Sequence, residues 1–347
     1  MSGGADNLRR DGAVVPAQPL AIDEAGKFNA EEQARLSRYY RAAGATGLAV
    51  GVHTTQFILH EDRSLLREVL EIGAHAASGL TLVAGVLGAT EQAVDEASLA
   101  RECGYDAVLL SGVGAAESTE SELLERAAAV AEQLPVVGFY LQESVGGRPM
   151  SRRFWSSLFE IEGVVGVKVA PFDRYRSLDV AVAALESDRW ADLTLLTGND
   201  DTIVHDLITP YRRTVNGQMR ERYLSGGLLG QWAVGTRSAV RLTTELMAAR
   251  GSAVSSEHLA IATALVEVNA AIFDVDNNFA GCVAGVNELL RQQGLLTSSA
   301  SLRGRERLSP GQSERIEEAR RRFPHLLDED FVATFLASED GALDVRR

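Results

Sequence analysis

Lysine, cysteine and positive charge are all scarce in this chain of 347 residues. Its two cysteines, Cys103 and Cys282, lie far apart with no C-x-x-C spacing, which excludes a disulfide framework and a cysteine-based zinc or redox motif. No apolar run approaches the roughly 18 residues that a membrane helix needs. The N-terminal stretch MSGGADNLRRDGAVVPAQPL lacks the apolar core of a secretory signal. A cytoplasmic protein without a membrane partner is the expectation. Lysine and arginine total 34 against 48 aspartates and glutamates, a formal net charge of −14. Long-range repulsion on that scale opposes binding to nucleic acid or anionic lipid. Six histidines show no metal spacing, so no metal is expected. The scarcest cation is lysine itself: 32 of the 34 are arginine, leaving only Lys27 and Lys168.

What is there reads as an ordinary globular chain, 46% hydrophobic and 24% charged. Short apolar runs recur at Ala13–Gln18, Gly47–Val52, Thr81–Val86, Asp106–Ser111, Pro135–Tyr140, Val164–Val169, Leu193–Thr197 and Tyr223–Leu229. Most are apolar throughout, which predicts burial on both faces and a parallel sheet. Helical segments fall between them. Asn29 stands three residues before Glu32, and Thr119 three before Glu122, as in capping boxes. Ala93, Ala97 and Ala100 share one face of the helix that Thr90 opens. Eight such units match an α/β (β/α)8 TIM barrel, with an open doubly wound sheet as the alternative. After about Thr236 the strand signals stop and helical patterns take over. The expected layout is a flexible tail over 1–12, a barrel over 13–250 and a C-terminal helical extension over 251–347.

In such a barrel the chemistry sits at the C-terminal ends of the strands. There VVGVKVAP carries Lys168 between valines. Desolvation disfavours an ammonium, so this amine should be a nucleophile suited to forming a Schiff base. In a chain that uses arginine almost everywhere, a lysine in an apolar strand marks work a guanidinium cannot do. LPVVGFY ends in Tyr140, a phenol placed to relay protons. GVHTTQF offers His53, Thr54 and Thr55 as partners for a carboxylate. Gly198 in TGNDD allows close backbone approach, and Asp200 and Asp201 read as caps of the next helix. Ser225 and Gly226 on the eighth strand complete the expected substrate-binding set. A metal-dependent aldolase using His53, His205 and Asp200 is a rival, as is a non-enzymatic sensor. The Gly112-Val113-Gly114 turn fails as a dinucleotide fingerprint because Glu117 holds the third glycine position.

These strands resemble those of the dihydrodipicolinate synthase / N-acetylneuraminate lyase family. VVGVKVAP is similar to its I-V-G-I-K-(D/E) strand, and LPVVGFY to L-P-(I/V)-(I/L)-(L/I)-Y-N. TLVAGVLGATEQAVDEASLARECGYDAVLL resembles its third unit, and LLTGNDD its seventh strand. The resemblance implies a homo-oligomeric class I aldolase or lyase, a dimer or tetramer. Lys168 would form an imine with pyruvate or a related 2-oxo acid, Tyr140 would relay protons, and no cofactor would be needed. The second small-molecule substrate would be an aldehyde. Three departures point away from true dihydrodipicolinate synthase activity. Val52 and His53 stand where the family's G-T-T-G-E hydroxyls belong, Thr54 and Thr55 matching only after a two-residue shift. Val145 stands at the position of an arginine, with Arg148 three residues on. SGVGAAES replaces an aromatic pair. A sibling aldolase, a 2-keto-3-deoxy sugar acid dehydratase, or a degenerate binding protein of the same fold are the readings that remain.

Overall fold

The computed structural model describes residues 3–344. Eight parallel strands form one sheet: β1 (Ala13–Pro16), β2 (Gly47–Val50), β3 (Thr81–Val86), β4 (Ala107–Leu110), β5 (Val136–Leu141), β6 (Val164–Ala170), β7 (Thr194–Thr197) and β10 (Gly226–Leu229). Their spatial order is β1-β10-β7-β6-β5-β4-β3-β2. The Ala17–Ala49 bridge joins the two ends, with Gln18 N–H donating to the Ala49 carbonyl at 2.9 Å. The chain is thus a (β/α)8 barrel followed by helices.

Every strand gives at least one side chain to a common interior, among them Val15, Ala49, Val83, Leu109, Val137, Val165, Leu196 and Leu228. A larger apolar shell fills the space between strands and helices, which is why both faces of each strand are apolar. Of the two expected capping boxes one is complete, and at Asn29 only the cap itself forms, the Glu32 carboxylate accepting instead from Arg35 and the Thr297 N–H. Thr119 and Glu122 form a reciprocal capping box, and Asn29 accepts the Glu32 N–H at 3.2 Å. Ala93, Ala97 and Ala100 are fully buried.

Two expectations are corrected. The first dozen residues are not a loose tail along their described length. Gly3–Asp6 and Asn7–Arg9 are helical turns that place Leu8, 1% exposed, in the base of the barrel interior. The eighth barrel strand is also shorter than the expected Tyr223–Leu229. Tyr211–Val215 (β8) and Gln218–Arg222 (β9) form an antiparallel hairpin before it, turning on Asn216 and Gly217, both at positive φ.

Beyond the helix Thr236–Ala249, the chain continues as helices Ser256–Ile272, Cys282–Gln292, Gln312–Arg322 and Glu329–Asp344. Asp328 fixes this region to the barrel by accepting the Ser238 N–H at 2.8 Å. Among the described residues, no helix is long and apolar enough to cross a membrane.

Candidate active site

Lys168 points into the barrel at its C-terminal mouth and is 7% exposed. It reaches there through a bulge. Val136 pairs with Val164, but Val137 pairs with Gly166, so β6 carries one extra residue. Gly166 is required at this point, since a Cβ would lie 2.1 Å from the Thr194 carbonyl oxygen. After the bulge Lys168 sits opposite Phe139, and its Nζ lies 4.4 Å from the centre of that ring.

The cavity around the amine has a volume of about 50 Å³. His53, Thr54, Gln142, Asp200 and Cys282 supply its polar groups. Phe172, Phe273 and Phe279 contribute much of its apolar wall. The last two come from the C-terminal region, which therefore roofs the barrel mouth. Asn269 of the helix Ser256–Ile272 donates to the Asp200 carbonyl at 2.6 Å, and Gln231 N–H donates to the Asp200 carboxylate at 3.0 Å. A second layer holds the β7 end: the Asp206 carboxylate accepts from Thr197 at 2.7 Å, Asn199 at 2.9 Å and Arg174 at 2.7 Å. Asn199 in turn accepts the Phe172 N–H at 2.9 Å, fixing Phe172 at a φ of 53°.

Burial drives the charges in this cavity toward neutrality. Desolvation holds the Lys168 amine below the ordinary lysine range, against the opposing pull of Asp200. Desolvation likewise raises the Asp200 carboxyl above the ordinary aspartate range, with Lys168 opposing it. His53 is pushed down to about 4, first by burial and then by the lysine charge, so its imidazole is neutral at physiological pH. Burial pushes the Cys282 thiol up, leaving it protonated.

The structure gathers Lys168, His53, Thr54 and Gly198 but separates other expected residues from them. A Cβ on Gly198 would lie 2.5 Å from Lys168 Cε, so this glycine makes room for the lysine stem. We expect Gly198→Ala to cost about 1–3 kcal/mol of stability by overpacking. If the amine is the nucleophile that the sequence suggests, its displacement should also slow exchange of the methyl protons of added pyruvate with solvent, followed by NMR, about a hundredfold.

Tyr140 faces away from the barrel interior, its ring 4.8 Å from Trp155. Its hydroxyl accepts the Met150 N–H at 3.3 Å. The role expected for it as proton relay at Lys168 is therefore corrected. Counting from Leu134-Pro135 would have revealed this: Phe139 falls at the family's tyrosine and Tyr140 at its asparagine. Tyr140→Phe should leave pyruvate proton exchange unchanged and cost about 1 kcal/mol of stability. A loss of about a hundredfold in exchange would return Tyr140 to the chemistry.

The two threonine hydroxyls are committed to the backbone. Thr55 donates to the Gln18 carbonyl at 2.6 Å and accepts the N–H groups of Gly51 and Val52, which builds the turn. Thr54 donates to the Ala17 carbonyl at 2.8 Å. Neither has a proton left for a substrate carboxylate. The N–H groups of His53 and Thr54 form no hydrogen bond among the described residues and remain as donors at that corner. Ser225 and Gly226 lie at the wrong end of their strand: Gly226 pairs with Ala13, and the Ser225 carbonyl accepts the Gly12 N–H at 2.7 Å. Gly230, at the other end, lines the cavity in their place. The position of Asp200 suggests a helix cap, but the next helix, Ile203–Ile208, starts from Thr202 without a side-chain cap. His205 is exposed on that helix and does not line the cavity.

Known proteins agree with this architecture. The sequence profile of the dihydrodipicolinate synthetase family matches residues 12–209. N-acetylneuraminate lyase of Citrobacter koseri is 29% identical over 200 residues, spanning 56% of this chain and 65% of that enzyme. The match thus covers just under two thirds of that curated relative. The solved structure of a monomeric dihydrodipicolinate synthase variant superposes with a TM-score of 0.74 at 16% identity, covering 91% of this chain and 97% of that one. N-acetylneuraminate lyase from Fusobacterium nucleatum superposes with a TM-score of 0.71 at 18% identity, covering 91% and 99%. At these identities the structural likeness carries the fold alone. The profile match extends over more than half of the sequence and includes the lysine strand, and the chain belongs to the dihydrodipicolinate synthetase family.

Proposed function

We propose that this protein is a class I aldolase or lyase that binds pyruvate or a related 2-oxo acid as an imine on Lys168. The observation that carries the reading is one buried lysine, held toward its neutral form, in a small cavity at the barrel mouth that a carboxyl group held toward its protonated form also lines. The neutral amine attacks the ketone carbon. Asp200, in place of a tyrosine, gives its proton to the carbinolamine hydroxyl, which leaves as water. The resulting imine is the electron sink, and the carboxylate of Asp200 takes a proton from C3 or from the hydroxyl whose C–C bond breaks. The N–H groups of His53 and Thr54 hold the substrate carboxylate. The lysine imine supplies the electrophile, so the reaction requires no cofactor.

The distal part of the substrate extends into a cleft of about 480 Å³ that shares Gln142, Phe172, Asp200, Phe273 and Phe279 with the lysine cavity. Asp173, Arg176, Asp201 and Asn269 line that cleft. Glu143 already pairs with Arg176 at 2.5 Å, and with Asp173 and Asp201 the lining is acidic on balance, which suits a hydroxylated, sugar-derived aldehyde better than a second carboxylate. Val145 adds no cation to the lysine cavity, and Arg148 instead donates to the Ala116 carbonyl at 2.9 Å. This favours an aldolase other than dihydrodipicolinate synthase. A homo-oligomer is part of the same reading, and Tyr175 and Leu178, exposed on the helix Arg174–Glu186, are apolar groups that assembly would cover.

Borohydride reduction in the presence of pyruvate and other 2-oxo acids tests the reading. The expected result is a reduced adduct on the peptide that carries Lys168. Failure of every 2-oxo acid to add mass there would overturn it.

A further inference from the structure

A second cavity, of about 160 Å³, lies between β4, β5 and the helices Glu120–Ala131 and Arg152–Phe159. It opens on the outer side of the strand that carries Phe139, and Phe139 and Leu141 border both this cavity and that of Lys168. Leu123, Phe154 and Leu158 form much of its apolar wall. Two cations, Arg126 and Arg148, line it, and no acidic side chain does.

Arg126 is 3% exposed, and its Nε and Nη2 have no hydrogen-bond partner. Glu96 acts on it only through the field, without an ion pair among the described residues. The indole N–H of Trp155, also in the lining, is likewise unpartnered. A guanidinium cannot escape the cost of burial by releasing its proton at neutral pH. An uncompensated buried charge is expensive, and so is a buried N–H without an acceptor. Both costs fall when an anion occupies the cavity.

We propose that this cavity binds a small organic carboxylate with an apolar body. The two carboxylate oxygens match a guanidinium edge and one indole N–H, and the apolar part lies against Leu123, Phe154 and Leu158. Water would meet the N–H groups but leave the apolar walls uncovered, which favours an anion that carries an apolar body. The volume equals about five waters, the size of a short branched or single-ring acid. The site is separate from the Lys168 cavity and independent of the reaction proposed there.

Titration of the full-length protein with phenylacetate, by calorimetry and by tryptophan emission, tests the proposal. We expect saturable binding of one phenylacetate per chain, with phenylacetamide and inorganic phosphate binding at least about tenfold more weakly. Arg126→Met should weaken phenylacetate binding about 10- to 100-fold. Should that variant fail to fold, Ala116→Phe at the exposed mouth blocks the cavity without touching the charge and should have the same effect. Binding should persist in Lys168→Met, and Ala116→Phe should keep the pyruvate exchange of the parent. Absence of saturable binding, equal binding of the amide or of phosphate, indifference to Arg126→Met or Ala116→Phe, or loss in Lys168→Met would each overturn it.

Discussion

Lys168→Met should abolish adduct formation with pyruvate and reduce pyruvate methyl-proton exchange by at least about 10⁴-fold, since both covalent catalysis and the electron sink vanish with the amine. Methionine has a similar length and is comfortable in the apolar cavity, so circular dichroism should be unchanged. Asp200 then loses the cation that opposes its raised pKa and takes up a proton, which leaves the site neutral instead of carrying an orphaned charge. Lys168→Arg is a sharper control. It retains the cation but offers no nucleophile, and the guanidinium must fit beside Gly198 where the lysine stem already fills the space. Exchange surviving in both variants would move the chemistry away from this lysine and toward the metal-dependent or binding-protein readings.

How far the sequence could be read is clearest at β5 and β6. The strands were legible because a residue buried on both faces must be apolar, and Val164–Val169 has no other polar residue to explain. Lysine scarcity then singled out Lys168. The partner was misread because side chains alternate along a strand, so an error of one position exchanges the barrel interior for its outer shell. Phe139 and Tyr140 are such a pair, and the bulge at Val165 and Gly166 changes the pairing once more. The hairpin had a signal that went unused: Asn216-Gly217 between strand-like segments is a strong two-residue turn. Its omission stretched the last barrel strand back to Tyr223 and drew Ser225 and Gly226 into the site. Other features had no local signal. Leu8 enters the barrel base, and Asn269 reaches Asp200 across 69 positions, through packing that only the folded chain defines. The mouth is closed by residues from a region whose sequence says helix but not where the helix goes.

Asp200→Asn should change the shape of the pH profile as well as the rate. Lys168 and Asp200 line one buried cavity and each opposes the other's burial shift, so the protons belong to the pair and leave in two steps. With two protons bound, the lysine is an ammonium and cannot attack. With none, no acid remains to expel water from the carbinolamine. The form with one proton is the active one, in the tautomer that has a neutral amine and a protonated carboxyl. Burial disfavours the alternative tautomer, with its two charges, and so raises the population of the active one. Wild-type pyruvate exchange should therefore follow a bell, with both limbs lying between the ordinary aspartate and lysine ranges of about 3.9 and 10.4. Asparagine cannot titrate. The variant should keep only the ascending limb, which reports deprotonation of Lys168, and the descending limb should disappear. Loss of the proton donor should lower the plateau by about 10²- to 10⁴-fold. The borohydride adduct on Lys168 should still form slowly, because the nucleophile is intact. A descending limb that survives in the variant, or a rate within about tenfold of wild type, would transfer the proton-relay role to another group, with the neutral imidazole of His53 next in line within the same cavity.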